Sequence, residues 1–491
     1  MSLFSHEENQ FSYFCAMFKR SLFFLAIIVL AASTQAQEKW NLLKCVQYAI
    51  ENNISVKQAD LQTRFSDVTY KQSKSAQYPS LNFQNSTGYR FGRSENPATG
   101  VLEDNNFLSS SFGLQSGVTL FNWFSKKNTI ESNRLANEAD KAQVLKVQDD
   151  IGLNVAVAYL QILLAREQAN LIKVQIGTTA EQLNNTRKRV DAGALPELNA
   201  AELEAQLSRD SSSLITAEAS VQQFILQMKA LLNLDAGAAF DIESPSVDKV
   251  PVESLADLQP EAVYAMALKN LPQNKVIDLR LLSAKKDVEV AKGQMYPQIT
   301  AFGGIGTSYV NVKRPVLGAG PDEATRAYVT IGPSKFDVLA PTTIQVGERR
   351  TPFGDQLNTN LSQNIGIGLN IPIFNGHSAR ANWERTKLQV RQWELTKELD
   401  NQTLKQNIYK AYNDATSSMQ KYNADKKSVQ TSARSYEYAQ KRYEQNLLST
   451  FDLINSQNNY LTAQIQALYS QFDYVFKMKL LEYFKGQGIK L

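Results

Sequence analysis

Residues 364–375 read NIGIGLNIPIFN, and residues 111–122 read SFGLQSGVTLFN. In both stretches apolar residues alternate with glycine or polar residues, and both end in Phe-Asn. Strands of about ten residues, apolar on one face and small or polar on the other, are typical of a transmembrane β-barrel wall. The same alternation fits a half-buried sheet in a soluble domain, and period 2 alone does not separate the two interpretations.

The two stretches belong to a longer internal repeat. Phe121-Asn122 and Phe374-Asn375 lie 253 residues apart, whereas Tyr78-Pro79 and Tyr296-Pro297 lie 218 residues apart. Ordered matches at two constant offsets predict two copies of one structural unit. Because the offset grows by about 35 residues, we expect an insertion in the second copy, within 311–361. Its five prolines indicate an irregular loop, and its added length suggests an enlarged external one.

The repeat gives the expected domain organisation. We expect a first repeat over 37–234, a linker with several prolines over 235–260, and a second repeat over 261–491. Each repeat should open with helical sequence, at about 41–77 and 261–295, and a Tyr-Pro should end it, because the residue before proline avoids α geometry. Two strands and a long helical hairpin follow in each copy. The four strands are expected at about 81–92, 108–121, 298–310 and 361–374.

The N-terminus has the layout of a secretory signal. Two adjacent basic residues precede an apolar run over 22–32, and small residues follow up to Ala36, where we expect cleavage. Residues 1–36 are therefore predicted to be a signal peptide, with Met17 as an alternative start. A membrane anchor is the weaker alternative, because the run is shorter than the span of about 20 residues that a bilayer requires.

The net charge and the length of the apolar runs narrow the range of possible functions. The 491-residue chain has a formal net charge of only +4, with Lys and Glu mixed along the helical segments, so we predict no nucleic acid partner. After the signal there is no apolar run of about 18 residues or more, so we expect no transmembrane helix. An exported chain that crosses a membrane without such a helix must do so as a closed β-barrel.

Heptad spacing predicts long, packed helices. Eight residues from Phe451 to Val475 follow alternating steps of three and four, and Asn458 is the single polar position in this row. Such a row is a coiled-coil seam in which one polar residue can fix the register. The stretch 125–188 contains no proline, and as one helix it would extend about 96 Å at 1.5 Å per residue.

The predicted strands are too few to form a barrel within one chain. Single-chain membrane barrels begin at about eight strands, so four strands cannot close alone. We therefore expect each chain to pool its strands with other copies. The helices would continue the barrel as a bundle, and small polar side chains inside would leave an aqueous path.

The chain resembles the TolC-type outer-membrane efflux factors over essentially all of its mature sequence. The resemblance rests on the doubled layout, on Tyr-Pro before each first strand, on Leu-Phe-Asn (120–122) and Ile-Phe-Asn-Gly (373–376), and on the helix-turn segments 187–198 and 441–452. It implies a mainly α fold with membrane β: a trimeric 12-stranded β-barrel, four strands per subunit, continued by a coiled-coil α-helical barrel. It also implies a periplasmic membrane-fusion adaptor and an inner-membrane pump of RND or ABC type as partners. The homotrimer would sit in outer-membrane lipid and extend into the periplasm.

The resemblance further implies a gate at the periplasmic end of the channel. The gate position six residues after the turn glycine falls on Asn199 in the first copy and on Asp452 in the second, and Asn455 follows three residues later. Tyr443 matches the tyrosine that ties the gate, whereas Leu448 stands where some members have arginine. Three Asp452 carboxylates around a narrow axis would favour cations. Asp452 could equally be the N-cap of the last long helix, and the two roles are compatible.

The two helix-connecting turns, 190–198 and 444–451, are the expected adaptor-docking tips. The family's turns carry a Gly-Leu element, which Gly193-Ala194-Leu195 fits and Asn446-Leu447 fits less well. The alternative is a simple helix-ending turn in the left-handed conformation, which glycine and asparagine both permit.

Groups for catalysis or metal binding are scarce. The chain has two histidines, His6 in the predicted signal and His377, which we interpret as a helix-start residue. Cys15 would leave with the signal, and Cys45 is interpreted as a small buried hydrophobe. We therefore predict no enzyme, no metal site and no cofactor. The leading hypothesis is passive exit of small molecules from a tripartite efflux pump. A type I protein secretion duct and a soluble periplasmic coiled-coil scaffold are the alternatives.

Overall fold

The computed structural model describes residues 39–96, 100–104, 106–245 and 253–486. The predicted signal peptide over 1–36 lies outside these ranges. The chain divides into two compact units, each built from several segments. The helical unit comprises the described residues within 1–64, 138–278 and 395–491. The sheet-containing unit comprises those within 65–137 and 279–394.

Along the chain, groups of helices alternate with groups of strands. The helices are α1 (Leu42–Asn52), α2 (Ile54–Ser75), α3 (Ser125–Asp191), α4 (Glu197–Leu232), α5 (Pro260–Asn270), α6 (Pro272–Gly293), α7 (Phe353–Thr359), α8 (Ser378–Glu444) and α9 (Thr450–Phe484). The strands are β1 (Ser80–Arg90), β2 (Arg93–Glu95), β3 (Leu102–Asp104), β4 (Phe107–Phe121), β5 (Gln298–Val310), β6 (Lys313–Ala319), β7 (Glu323–Ile331), β8 (Ser334–Ala340), β9 (Thr343–Arg350) and β10 (Ser362–Asn370). No helix in the described part of the chain combines the length and the apolar character that a bilayer crossing needs.

The core of the helical unit forms where the short helices pack on the long ones. Cys45 of α1, Tyr159 of α3, Met228 of α4 and Val475 of α9 belong to one buried cluster. A second cluster joins α5 to α8 and α9, and a third lies beside the α8–α9 turn. Each large apolar side chain that is fully buried contributes about 1.5–3 kcal/mol, so these clusters hold the long helices in register.

Part of the stretch 235–260, which was predicted to be a linker between the repeats, packs in this core. Ile242 is fully buried and forms a parallel bridge with Trp40. Arg166 of α3 donates a hydrogen bond to the carbonyl oxygen of Ile242 at 2.9 Å. The helix before this stretch ends at Asn233, which is left-handed, and the next α-helix begins at Pro260, but a segment outside helices can still be packed when its apolar residues face a core.

Each opening region predicted as one helix, 41–77 and 261–295, is two helices. The first breaks at Asn53, whose ψ of 135° is extended and whose side chain accepts a hydrogen bond from the Ser55 N–H at 2.8 Å. The second breaks at Leu271, with ψ 129°, because the residue before Pro272 avoids α geometry.

The sheet-containing unit holds an antiparallel sheet of four strands in the order β1-β4-β5-β10. Phe83 pairs with Leu114, which pairs with Ile305, and Ala301 pairs with Ile367. Since alternate side chains share a face, these residues form one apolar face of the sheet. The opposite face is polar or small at most positions, with members such as Gln84, Gly113, Thr119, Thr300, Gly304, Asn364, Gly366 and Gly368.

Two predicted strand ends are wrong by a few residues. The strand expected at about 81–92 ends at Arg90, ahead of Gly92, whose φ of 88° lies in the left-handed region. The strand expected at about 361–374 ends at Asn370, because Pro372 has no N–H to donate to a neighbouring strand.

The insertion within 311–361 is not the irregular loop that its prolines predicted. Strands β6 to β9 form one long hairpin, in which β6 pairs with β9 and β7 pairs with β8. We call residues 313–350 the ribbon. Its prolines lie in turns or at strand ends except for Pro315, which lies inside β6. A two-stranded ribbon has two free edges, so a strand proline is tolerated there.

Candidate functional site

The turns between the long helices are the centre of the predicted site, and the two turns have the same backbone geometry. After α3, Gly193 has φ 74° and its N–H bonds the Val190 oxygen, while the Ala194 N–H bonds the Arg189 oxygen, both at 2.8 Å. This is the Schellman helix ending, in which a left-handed residue lets the last carbonyl groups be satisfied. Leu195 follows half-buried, and Ala194 is exposed.

The second turn repeats this arrangement with asparagine in place of glycine. Asn446 has φ 60°, its N–H bonds the Tyr443 oxygen at 3.0 Å, and the Leu447 N–H bonds the Arg442 oxygen at 2.8 Å. Leu447 is exposed. Asparagine fits because its short polar side chain tolerates the left-handed region better than other non-glycine residues do. The predicted alternative of a left-handed helix-ending turn therefore describes the geometry of both turns.

Tyr443 is buried and joins α8 to α3. Its hydroxyl group shares a hydrogen bond with the Thr186 hydroxyl at 2.9 Å, and Thr450 donates to it at 3.4 Å. The Arg189 guanidinium lies 5.9 Å from the centre of the Tyr443 ring and donates to the Asn446 side-chain oxygen. Arg189 thus ties the second turn to the helix before the first turn.

The family resemblance named Tyr443 as a candidate, whereas Thr186 and Arg189 were not among the predicted site residues. The tyrosine and its threonine partner lie 257 residues apart in the chain. Nothing in a heptad pattern says which residues of two distant helices meet. The one available signal was the position of Arg189, four residues before Gly193 and thus next to the turn in sequence.

Asp452 is exposed and lies in the first turn of α9. The predicted N-cap role is wrong, because the N-cap is Ser449, whose hydroxyl oxygen accepts the Asp452 N–H at 3.1 Å. The same hydroxyl donates to the Asp452 carboxylate at 2.6 Å. Ser449 therefore caps the helix, and its hydroxyl also holds the Asp452 carboxylate at the positive end of the helix.

The remaining predicted gate residues lie close to helix starts. Asn199 is half-buried in the first turn of α4, and its N–H bonds the Pro196 oxygen at 3.1 Å. Asn455 is exposed on α9. Leu448 packs against the Tyr443 cluster. Within the described residues, no hydrogen bond joins Asp452, Asn199 and Asn455 to one another.

A cavity of about 360 Å³ opens beside the two turns. Its walls mix amide, hydroxyl, charged and apolar groups, from Gln182, Asn185, Thr186, Arg189, Gln440, Tyr443, Glu444 and Leu453. The Tyr443 ring and the Arg189 guanidinium thus line the cavity as well as holding the helices together. A partly polar cavity next to two exposed turns suits a side chain or a helix end of a protein partner better than an apolar ligand.

Above the turns, a buried polar layer links three helices. Thr179 of α3 donates to Asp210 of α4 at 2.9 Å, and Gln206 of α4 donates to Asp210 at 2.7 Å and to Asn458 of α9 at 3.1 Å. Gln457 donates to Thr179 at 3.1 Å. Asn458, predicted as the polar register position, is therefore bonded across the helix interface.

Within residues 39–96, 100–104, 106–245 and 253–486, no group of His, Cys, Asp or Glu side chains is placed to hold a metal ion. Cys45 is a buried thiol, and burial raises its pKa to about 12. At neutral pH such a thiol is protonated, and it is the thiolate that reacts. His377 directly precedes α8.

Comparison with known proteins decides the family. The model of the outer membrane efflux protein family matches residues 45–234 and 263–474, which is most of the chain. The chain belongs to this family. The resemblance to TolC-type efflux factors is therefore confirmed, and with it an outer-membrane location and a role in export.

Individual relatives agree with this assignment. The outer membrane efflux protein BepC of Brucella suis biovar 1 is 21% identical over 94% of this chain and 89% of its own length. The pyoverdine export outer membrane protein OpmQ of Pseudomonas aeruginosa is 21% identical over 75% of this chain and 68% of its own length.

Solved structures show the fold of this efflux protein. CusC has a TM-score of 0.74 at 16% identity and covers 93% of this chain and 96% of its own. The open-state Neisseria gonorrhoeae MtrE outer membrane channel has a TM-score of 0.69 at 18% identity, with 91% and 89% covered. The efflux protein thus has the fold of the outer-membrane channels, and its family is one of export ducts, not of enzymes.

Proposed function

We propose that this efflux protein is one subunit of a trimeric exit duct that passes small molecules from a tripartite pump across the outer membrane. The observation that carries the proposal is the sheet β1-β4-β5-β10, whose two edge strands have a neighbour on one side only. Unpaired strand edges cannot face lipid, since each free N–H and C=O group would cost several kcal/mol there. Edges of neighbouring copies can satisfy one another.

The two faces of the sheet support the same assembly. Ile365 of β10, on the apolar face, is 94% exposed in the single chain, and Phe83 of β1 is also exposed. Such a face suits lipid, and the glycine-rich opposite face suits an aqueous lumen. Three copies would bring 12 strands together, as the family resemblance implies.

Aromatic residues at both ends of the sheet fit the two boundaries of a membrane. Near the helices, Trp123 packs on Tyr296 with ring centres 4.8 Å apart. At the other end, Tyr89 packs on Phe91 at the same distance. Aromatic girdles of this kind flank the apolar band of membrane barrels.

The internal repeat is part of the proposal. The element order α1-α2-β1-β4-α3-α4 parallels α5-α6-β5-β10-α8-α9, and both helix pairs meet in a Schellman turn. A duplicated unit explains why one subunit supplies two equivalent strand pairs and two equivalent hairpins. The ribbon is then the main addition in the second copy.

At the periplasmic end, we assign closure to the contacts of Tyr443 and charge to Asp452. The Tyr443–Thr186 hydrogen bond holds α8 to α3, so separating these helices must break it. The exposed Asp452 carboxylate is available to line an axis formed by several copies. With Asn199 and Asn455 in the neighbouring positions, the ring would carry one carboxylate per copy.

Adaptor docking is assigned to the two turns. The residues Gly193, Ala194, Leu195, Asn446 and Leu447 are mostly exposed, and the cavity beside them offers a mixed polar and apolar wall. The adaptor would connect the duct to an inner-membrane pump of RND or ABC type. A relative named toxin and drug export protein A, 24% identical over 42% of this chain, keeps protein secretion as the second candidate.

The test is the number of copies in the membrane-extracted protein. Native mass spectrometry of the protein extracted gently from outer membranes should give three chains per particle. A pair of cysteines, one on edge strand β1 and one on edge strand β10, should cross-link neighbouring chains in intact membranes. Pairs at successive positions along β1 and β10 would be tested. Only monomers, with no cross-link at any register, would rule out pooled strands.

A further inference from the structure

The ribbon is joined to the end of the sheet opposite the long helices. It follows Val310 of β5 and returns to β10 through α7. At the other end of the same strands, α2, α3, α6 and α8 begin or end. In an outer-membrane efflux protein whose helices extend into the periplasm, the ribbon end is therefore the external one.

At the base of the ribbon, positive charges face each other across the two strands. Arg314 is the register partner of Arg349, and Lys313 is the partner of Arg350. Directly opposed side chains lie about 5 Å apart at Cβ, and like charges at that distance repel. Lys313 is neutralised by Glu348 at 3.0 Å. Within the described residues, nothing neutralises Arg314 and Arg349.

The face that carries these two arginines continues as an aliphatic strip. Val316 is two residues after Arg314 and so shares its face. A Cβ built on Gly318 would meet a Val346 methyl group at 2.6 Å, which places Val346 over the same face, and Ile344 is the register partner of Gly318. The three aliphatic side chains are 41% (Val316), 60% (Val346) and 47% (Ile344) exposed.

We propose that this face of the ribbon binds phosphorylated lipid of the outer leaflet. Its residues are Arg314, Arg349, Val316, Ile344 and Val346, which we call the ribbon face. Two unpaired guanidinium groups match the oxygens of a lipid phosphate, because arginine binds phosphate through parallel N–H donors. In this proposal the ribbon lies along the membrane surface, so the arginines meet the phosphates and the aliphatic strip reaches the boundary of the acyl chains.

The composition of the ribbon face favours a charged amphiphile over other occupants. A soluble phosphate would leave three aliphatic side chains in water. A second copy of the same face would bring four arginines together, and this like-charge contact would cost energy. An anionic lipid surface neutralises the arginines and covers the aliphatic strip at once.

The test compares lipid retention by two variants of equal charge. The purified protein is mixed in detergent with lipid A or with dioleoylphosphatidylcholine, and bound lipid is counted by native mass spectrometry. Arg314→Gln/Arg349→Gln should weaken lipid A binding roughly thirtyfold, from the contribution of two cations at an anionic surface. The control Arg326→Gln/Lys335→Gln removes the same charge from the distal ribbon and should bind lipid A as the wild type does.

A second variant separates the lipid from a free phosphate. Val316→Thr/Ile344→Thr keeps both side chains β-branched and uncharged, and it should also weaken lipid A binding. Undiminished binding by this variant, or displacement of lipid A by millimolar inorganic phosphate, would reassign the arginines to a soluble anion. Equal binding by the wild type and the double arginine variant overturns the proposal. So does cross-linking of Val346→Cys between copies without lipid.

Discussion

Tyr443 lies where the α3–α4 and α8–α9 hairpins meet, and its hydroxyl group joins them. A hydrogen bond of this kind contributes a net of about 1 kcal/mol. We therefore expect Tyr443→Phe to loosen the contact between α3 and α8 and to raise the open probability of the channel about fivefold. Single-channel recording measures this directly. Tyr438→Phe, at an exposed position of the same helix, should have no effect.

Thr186 gives an independent check of the same contact. Thr186→Val removes the partner hydroxyl while keeping the shape of the side chain, so it should raise the open probability to a similar degree. Because both substitutions break one hydrogen bond, the double variant should add little to either single one. Fully additive effects would show that the Tyr443–Thr186 bond does not hold the helices together.

Asp149 of α3 provides a prediction of pH dependence. Burial, and secondarily the neighbouring Asp150 carboxylate, raises the pKa of the Asp149 carboxyl group above its ordinary value. A carboxyl group whose pKa is higher in the folded chain lowers stability at neutral pH, and this cost disappears below its unfolded pKa of about 3.9. Asp149→Asn should therefore raise the melting temperature at neutral pH and leave it unchanged at about pH 3.

The matched control for Asp149 is its neighbour. Asp150 accepts a hydrogen bond from Lys146 at 2.6 Å in a partly exposed pair. Asp150→Asn should raise the melting temperature at neutral pH less than Asp149→Asn does, since it removes only the secondary cause of the raised Asp149 pKa and also loses a surface pair that contributes at most about 1 kcal/mol. If Asp149→Asn raised the melting temperature equally at both pH values, titration of the Asp149 carboxyl group would be excluded as the cause.

At the scale of the element, the two faces of β1 give the sharpest contrast. Phe83 lies on the apolar face, and Gln84, the next residue, lies on the opposite face. Phe83→Arg should destabilise the inserted protein by about 2–4 kcal/mol if the position is near the bilayer midplane. Gln84→Arg should leave insertion intact and reduce cation conductance. Heat-modified gel mobility measures insertion, and equal loss in both variants would contradict two distinct faces.

The polar layer of α3, α4 and α9 carries a prediction about register. Asn458→Ala leaves Gln206 without one of its partners and should lower the free energy of unfolding by about 1 kcal/mol. Replacing Gln206 and Asn458 together with leucine should restore stability but loosen the register, since a buried polar pair fixes the alignment of packed helices. Hydrogen exchange along α9 distinguishes a stable helix from a slipping one.

The secondary-structure elements that were predicted well from the sequence are those with a regular local pattern of residues. Alternation in 298–310 gave β5 with the bounds that the structure shows, and the proline-free stretch 125–188 lies within α3. The ribbon was missed because proline was taken as evidence against strands. In fact Pro321, Pro333 and Pro341 occupy the connections between successive ribbon strands.

The candidate site was harder to predict, because its geometry depends on contacts between residues that lie far apart in the sequence. The resemblance identified Tyr443, and local turn chemistry agrees with the left-handed Gly193 and Asn446. The N-cap of α9 is Ser449, not Asp452, although both residue types commonly cap helices. A Ser at the N-cap with an acidic residue three positions later is a capping-box pattern, and that spacing was the signal to use.

At the scale of the whole molecule, one chain has an exposed apolar sheet face, two open strand edges and two mostly exposed turns between its long helices. Each of these features is incomplete in one chain. Pooled strands would bury the edges, lipid would cover the apolar face, and an adaptor would cover the turns. A soluble scaffold would gain nothing from an exposed row of isoleucine and phenylalanine side chains.

The most direct test of the central claim is single-channel recording in a planar lipid bilayer, with the wild type, Tyr443→Phe and Asp452→Asn. We expect discrete cation-selective steps for the wild type, more frequent openings for Tyr443→Phe, and weaker cation preference for Asp452→Asn. A folded, inserted Tyr443→Phe variant that passes no current would contradict the claim that this protein forms a gated duct.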